Sequence, residues 1–262
     1  MPLDSAGLAE EHARALPQKD DLCGPFWGSI VLRAAGILEV NGEAVDQDLV
    51  ALAAGALLPP DAQSGLPPGA RRRRDYRLSL PLAADVGAAG TSAAGLARAI
   101  QRLSDGALAA VPVAGPWTSA GVLGIVEEAA ACVALIANLR TGRLWTSRPP
   151  AAAVLGYLTG ATVKGPPAEW DVGHFVNLAL AVSGPRGGLV VVRDSYPELG
   201  FEAYYLQPAE ALAAALQRGD GRGGGVLCVC GAAEAAGLSS RLAAQGFVIH
   251  VWDNGTPFSD DT

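Results

Sequence analysis

The spacing of apolar residues changes along the chain, with helical recurrence dominant up to residue 160 and strand-like runs more prominent from Gly173 onward. Residues 4–15 predict a short helix that Pro17 ends. A polar turn follows, Gln18-Lys19-Asp20-Asp21, and then Leu22-Cys23-Gly24-Pro25. Residues 26–35 (FWGSIVLRAA) are almost unbroken apolar, and Gly36 closes them as a C-terminal cap would. This is the pattern of a buried helix, and it puts Cys23 at or just before the helix start. A second helix is expected at 46–57 with Asp46 as its cap. Residues 58–75, rich in Pro and Gly, predict a loop that runs into Arg71-Arg72-Arg73-Arg74. A helix at 91–104 carries Leu96, Ile100 and Leu103 at helical spacing. A buried strand at 107–114, a helix at 119–130, a strand at 131–139 and a short helix at 149–160 complete this half.

From Gly173 the chain reads HFVNLALAVSG, a Pro-Arg-Gly-Gly turn and LVVVRDSY, which predicts a hairpin. A helix at 208–217 begins with Pro208 in its first turn. Residues 219–225 (GDGRGGG) predict a flexible linker, followed by a strand at 226–230, a helix at 232–244 and a strand at 247–252. The last ten residues, DNGTPFSDDT, predict a disordered tail. The order of elements implies an α+β fold rather than a strict βαβ alternation. Two units are expected: a catalytic domain at 1–218, and a C-terminal βαβ-like extension at 219–262 packed on the same domain.

Composition narrows the class. Half the 262 residues are hydrophobic and 17% are charged, which supports a globular chain. The net charge of -7 argues against a nucleic-acid partner, which needs a basic face. The arginine run reads either as a phosphate or acidic-peptide contact or as a solvated loop. The polar N-terminus has no basic start and no apolar core of a signal peptide, and no stretch reaches the length of a membrane span. A cytoplasmic protein with no membrane partner is expected.

Chemistry enters through the cysteines. Cys132, Cys228 and Cys230 lie in alanine- or valine-rich runs and read as buried apolar residues, with neither a CxxC pair nor zinc spacing. No metal or organic cofactor is implied. Cys23 differs, because a helix N-terminus favours the thiolate that thiol catalysis needs. An imidazole must share the proton, a third polar group must orient the imidazole, and a donor must await the oxyanion. His174 opens a predicted strand, Asp194 ends the next one, and Gln18 lies five residues before Cys23.

These segments resemble a known family. LPQKDDLCGPFWGSIVLRAAG is similar to the nucleophile segment of the papain-like cysteine peptidases, most of all their bacterial C39-like branch. DVGHFVNLALAVSG resembles that family's histidine strand, and LVVVRDSYPELG its following strand, which ends in Asp or Asn. The resemblance spans residues 16–217. It implies a papain-like fold with Cys23 as nucleophile, His174 as base, Asp194 as orienter and Gln18 as oxyanion donor. Three features depart from the pattern: Leu22 stands where Asp is common, the Gln18–Cys23 spacing is one shorter than the common six, and Phe26 occupies a usually small position. Residues 58–90 and 219–262 lie outside it.

Trp170, Gly173 and Phe26 are the expected substrate contacts, with Trp170 at the site edge. Trp117 and Trp145 read as packing, and His12 and His250 as structural or exposed. Asn177, three residues past His174, is expected to face away from the site. The expected activity is hydrolysis of a peptide or amide through an acyl-thioester on Cys23, on a specific intracellular peptide, as in the maturation of a ribosomal natural product. The alternatives are acyl transfer or peptide cyclisation by the same triad, and a non-catalytic relative that binds a peptide or partner. Substrate identity and oligomeric state stay open.

Overall fold

Residues 5–61, 65–128 and 132–258 are described in the structure, a computed structural model. In chain order the elements are α1 (Ser5–Arg14), α2 (Cys23–Ala34), β1 (Glu39–Val40), β2 (Glu43–Ala44), α3 (Gln47–Ala53), α4 (Ala93–Leu103), β3 (Leu108–Ala114), α5 (Ser119–Glu128), β4 (Ala134–Arg140), α6 (Ala151–Leu158), β5 (Gly173–Ser183), β6 (Gly188–Arg193), β7 (Tyr204–Pro208), α7 (Ala209–Gln217), β8 (Gly225–Gly231) and α8 (Ala235–Ala244). A six-stranded sheet has the order β3-β8-β4-β5-β6-β7, and every neighbouring pair in it is antiparallel. The fold is α+β.

Alternation along the strands sorts side chains onto two buried faces. Val226, Cys228 and Cys230 of β8 join Leu135, Ala137 and Leu139 of β4 in a cluster with α5, α7 and α8. Leu227 and Val229 join Ala134 and Ile136 in the other cluster, under α2 and α4. Because both faces are covered, β8 is an unbroken apolar run and β4 is interrupted only by the buried Asn138 before its end at Arg140.

Four expectations need correction. Residues 219–262 are not an appended unit. β8 lies between β3 and β4 and pairs with both, so the sheet is continuous only through it. The expected strand at 247–252 is extended chain with a single bridge, Ala114–Val248. In the expected disordered tail, the Asn254 amide donates to the Thr91 carbonyl at 2.9 Å and the Thr256 hydroxyl to the Ala89 carbonyl at 3.2 Å. These bonds hold residues 253–258, and residues 259–262 lie outside the described set, as do residue 4 and residues 129–131 at the ends of predicted elements. The expected flexible linker begins with a fixed turn, in which the Arg218 guanidinium holds Asp220 through two bonds of 3.1 and 2.8 Å.

Elements were also missed. β7 is five residues between a turn and Pro208, too short to stand out. β1 and β2 flank Asn41-Gly42, both at positive φ (54° and 80°), a turn signal that the sequence carried. Helix α2 starts at Cys23 rather than at Phe26, because the Phe26 N–H already bonds the Leu22 carbonyl at 2.8 Å and Pro25 fits a first turn.

Helix α2 is fastened to β5. The Trp27 indole N–H, fully buried, donates to the Phe175 carbonyl at 3.1 Å. A Cβ at Gly24 would come within 3.2 Å of the Thr91 side chain and 3.4 Å of Phe175, and one at Gly28 within 2.7 Å of Val50. The glycine at position 24 lets the helix start lie close against β5, and the one at position 28 lets α2 lie close against α3 and α4.

Candidate active site

Cys23 is the first residue of α2, and the preceding Leu22 provides no side-chain acceptor for the first-turn N–H groups. The positive end of the helix therefore bears on the thiol and not on a capping oxygen. Cys23 is partly exposed, whereas Cys132, Cys228 and Cys230 are buried, and all four are free thiols. Burial pushes the Cys228 thiol up, and a hydrogen bond with Cys230 together with burial does the same for Cys132. The same hydrogen bond lowers the Cys230 pKa, and that thiol is buried, so Cys23 is the one cysteine of the four open to the surface.

His174 and Asp194 meet beneath the surface. His174 Nε2 lies 3.0 Å from Asp194 Oδ1, with the residues 1% and 0% exposed. A carboxylate only accepts, so Nε2 carries the hydrogen and Nδ1 is the basic nitrogen. Burial works against a charged imidazole. The Asp194 carboxylate and then the Cys23 side chain outweigh it and raise the His174 pKa to about 10. Asp194 is desolvated as well, yet the charge and hydrogen bond of His174, and then the Tyr205 hydroxyl, hold its carboxyl below the usual range. Its Oδ1 also accepts from the backbone N–H of Ser195 at 2.8 Å and of Tyr196 at 3.2 Å.

Aromatic rings enclose the imidazole. Trp170 meets it edge-on at 4.9 Å between centroids, and Tyr196 lies nearly parallel to it at 6.0 Å. Burial, Cys23 and Asp20 push the Tyr196 hydroxyl up, so it stays neutral.

Gln18 is buried and bound to the residue after Asp194. The Ser195 hydroxyl donates to Gln18 Oε1 at 2.5 Å, and the Gln18 N–H donates to the Ser195 carbonyl at 3.2 Å. The side-chain bond fixes the amide orientation and turns Nε2 away from Ser195, where its own contact is a long 3.4 Å to the Lys19 carbonyl. Lys19 anchors this turn through a 2.8 Å bond to the fully buried Asp48.

Several contributors were not read from sequence. His12, expected to be structural or exposed, is buried; its Nε2 donates to the Asp194 carbonyl at 2.7 Å and its ring stacks on Trp27 at 5.2 Å. Tyr205 lies outside the quoted motifs, and Trp27 and Tyr196 lie inside them without a role assigned. The other expected residues are placed as follows. Phe26 is buried against His12 and Trp27 and lines a cavity of about 330 Å³ behind Asp194. Gly173 is exposed, and a Cβ there would come within 3.0 Å of the Arg218 guanidinium. Asn177 bonds the Leu135 carbonyl at 3.1 Å. Trp117 packs on Phe247, Trp145 on Tyr157, and His250 is exposed. The arginine run is a loop in which Arg71, Arg72 and Arg74 stay exposed, as the solvated-loop reading expects, but it is tied down by ion pairs. Arg72 and Arg74 bond the buried Asp20 at 3.2 and 3.1 Å.

A larger cavity, about 690 Å³ and mostly apolar, opens beside α6 among Leu155, Phe201 and Leu206. It touches the His174–Asp194 pair only through Tyr205. Among the described residues no group of three His, Cys, Asp or Glu side chains is placed to hold a metal, and no helix is long and apolar enough to cross a membrane. The chain belongs to a family of unknown function (DUF6885), which it matches over residues 4–253. No curated protein and no solved structure matches it.

Proposed function

We propose that this member of the family is a cysteine-dependent amide hydrolase built on a papain-like fold, with Cys23, His174 and Asp194 as its triad. The observation that carries the reading is the position of His174, bonded at Nε2 to the buried Asp194 and near enough to Cys23, at the uncapped start of α2, for the thiol to add to the rise in its pKa. His174 takes the thiol proton at Nδ1, and the Cys23 sulfur attacks the carbonyl carbon of the amide. The tetrahedral oxyanion is met by the Gln18 amide and by the N–H groups of the uncapped α2 start. His174 then returns the proton to the leaving amine, and the C–N bond breaks to leave an acyl-thioester. Water, deprotonated by His174, releases the acid and restores the thiol. The buried Asp194 holds the imidazole tautomer through these steps. The substrate is a peptide or other amide, and no step calls for a metal or organic cofactor.

The test is the pH dependence of Cys23 alkylation by iodoacetamide in the wild type and in His174→Ala. Rapid alkylation well below the ordinary thiol value of about 8.5, lost in the variant, supports the pair. Alkylation that follows an ordinary thiol and ignores the substitution overturns the catalytic reading.

A further inference from the structure

Residues 65–77 form a strap fastened at both of its ends to the site. At one end the Gly65 carbonyl accepts the indole N–H of Trp170 at 2.9 Å, and Trp170 is the ring set against His174. At the other end the Arg73 N–H donates to Asp20 Oδ1 at 3.0 Å, and its carbonyl accepts the Asp20 N–H at 2.8 Å. The Tyr76 hydroxyl bonds the Asp20 carbonyl at 2.9 Å, and Lys19 Nζ bonds the Asp75 carbonyl at 2.6 Å. Between the ends, Leu66 and Ala70 pack on the cluster that holds Tyr196 and Leu199, and Gly69 lies against Glu198. Asp20 belongs to the turn that carries Gln18 and leads into Cys23. The strap thus joins the ring over His174 to the turn before the nucleophile.

We infer that this strap closes one end of the cleft, so that the substrate is a chain terminus or a small amide rather than the interior of a polypeptide. The inference rests on the hydrolase reading and narrows its substrate class. A polypeptide cut in its interior must extend past the sulfur in both directions. On the side where the strap joins Trp170 to the Asp20 turn, its backbone would meet the strap. Displacing the strap would break its bonds to Asp20 and Trp170 and expose Asp20, which is 2% exposed. A substrate that ends near Cys23 needs no such displacement.

The experiment compares three electrophiles on the full-length chain: iodoacetamide, a peptidyl chloromethyl ketone whose chain lies on one side of the reactive carbon, and a peptidyl Michael acceptor extended on both sides. Each rate is normalised to the same compound's rate with free cysteine. The wild type is expected to take the two-sided probe at least about tenfold more slowly than the one-sided probe. Asp20→Ala, and separately Arg72→Ala/Arg74→Ala, loosen the strap and are expected to narrow that gap, with iodoacetamide reporting that the thiol is intact. Equal rates for the two peptidyl probes in the wild type overturn the inference. A gap that survives in every variant that folds overturns it too, since the strap is then not its cause. A thiol that iodoacetamide does not modify below neutral pH fails the hydrolase reading first, and the substrate class with it.

Discussion

The Tyr205 hydroxyl donates to Oδ2 of Asp194 at 2.9 Å, while Oδ1 of the same carboxylate faces His174. Both oxygens of a fully buried charge are thereby satisfied, one by the imidazole and one by a strand at the edge of the sheet. Tyr205→Phe keeps the ring and removes the donor. A hydrogen bond to a charged group contributes about 1.5–3 kcal/mol, so the variant is expected to lose stability on that scale, read as a lower urea midpoint. Its Asp194 carboxyl rises and its hold on His174 weakens, so Cys23 alkylation at acid pH slows as well. An unchanged alkylation profile would show that Tyr205 only packs.

The tie between Trp27 and the Phe175 carbonyl predicts a different signature. Trp27→Phe leaves that buried carbonyl without its donor, at a cost of about 1–3 kcal/mol, besides the volume lost. Because the bond joins the Cys23 helix to the His174 strand, alkylation of Cys23 should slow in the folded variant. Stability loss with a wild-type alkylation rate would separate the two roles and remove Trp27 from the alignment of the pair.

Protonation of His174 can be followed directly. Its pKa is raised to about 10, with Asp194 the main cause opposing desolvation. The imidazole carbon resonance should keep its imidazolium position through neutral pH and move only near that value. A group raised in the folded state stabilises the fold fully below its unfolded value of about 6.5, and that contribution is lost as pH rises toward the folded value. The urea-midpoint advantage of wild type over His174→Gln should therefore shrink on the alkaline side. A resonance that titrates near the unfolded value would disprove the coupling.

His12 acts in the opposite direction. Burial lowers its pKa, more than offsetting the Asp194 carbonyl that would raise it. A depressed group contributes stability that is present above the unfolded value, and the contribution is lost as pH falls through the folded one. Urea midpoints should drop for wild type between about pH 7.5 and about pH 5, and drop less in His12→Gln, where an amide donor replaces the imidazole without titrating. Equal drops in both proteins would clear His12 of the effect.

The parts of the site that could be read in advance are those whose chemistry is local. Cys23 stands out because a turn, a thiol, Gly24-Pro25 and a buried helix follow one another. His174 and Asp194 stand out because each sits at the end of an apolar run. His12, Trp27, Tyr196 and Tyr205 carry no such mark. Trp27 bonds a carbonyl 148 residues away and His12 one 182 residues away, and aromatic residues in apolar runs ordinarily signal packing. The Asn41-Gly42 turn is local chemistry too, and the hairpin it signals forms between β1 and β2.

Local pattern alone determined that this chain makes an α+β fold, that GVLCVCG is a buried strand, and that Cys23 opens a buried helix. Periodicity and capping act over a few residues, so they are written where they act. Tertiary structure decided the rest. β8 lies mid-sheet because its two faces and two edges could be satisfied only between β3 and β4, a choice among distant partners that no run of residues encodes. Arg72 and Arg74, themselves exposed, reach back to Asp20, which is buried beside the nucleophile turn, and a charge run shows its sign along the chain but not its partner.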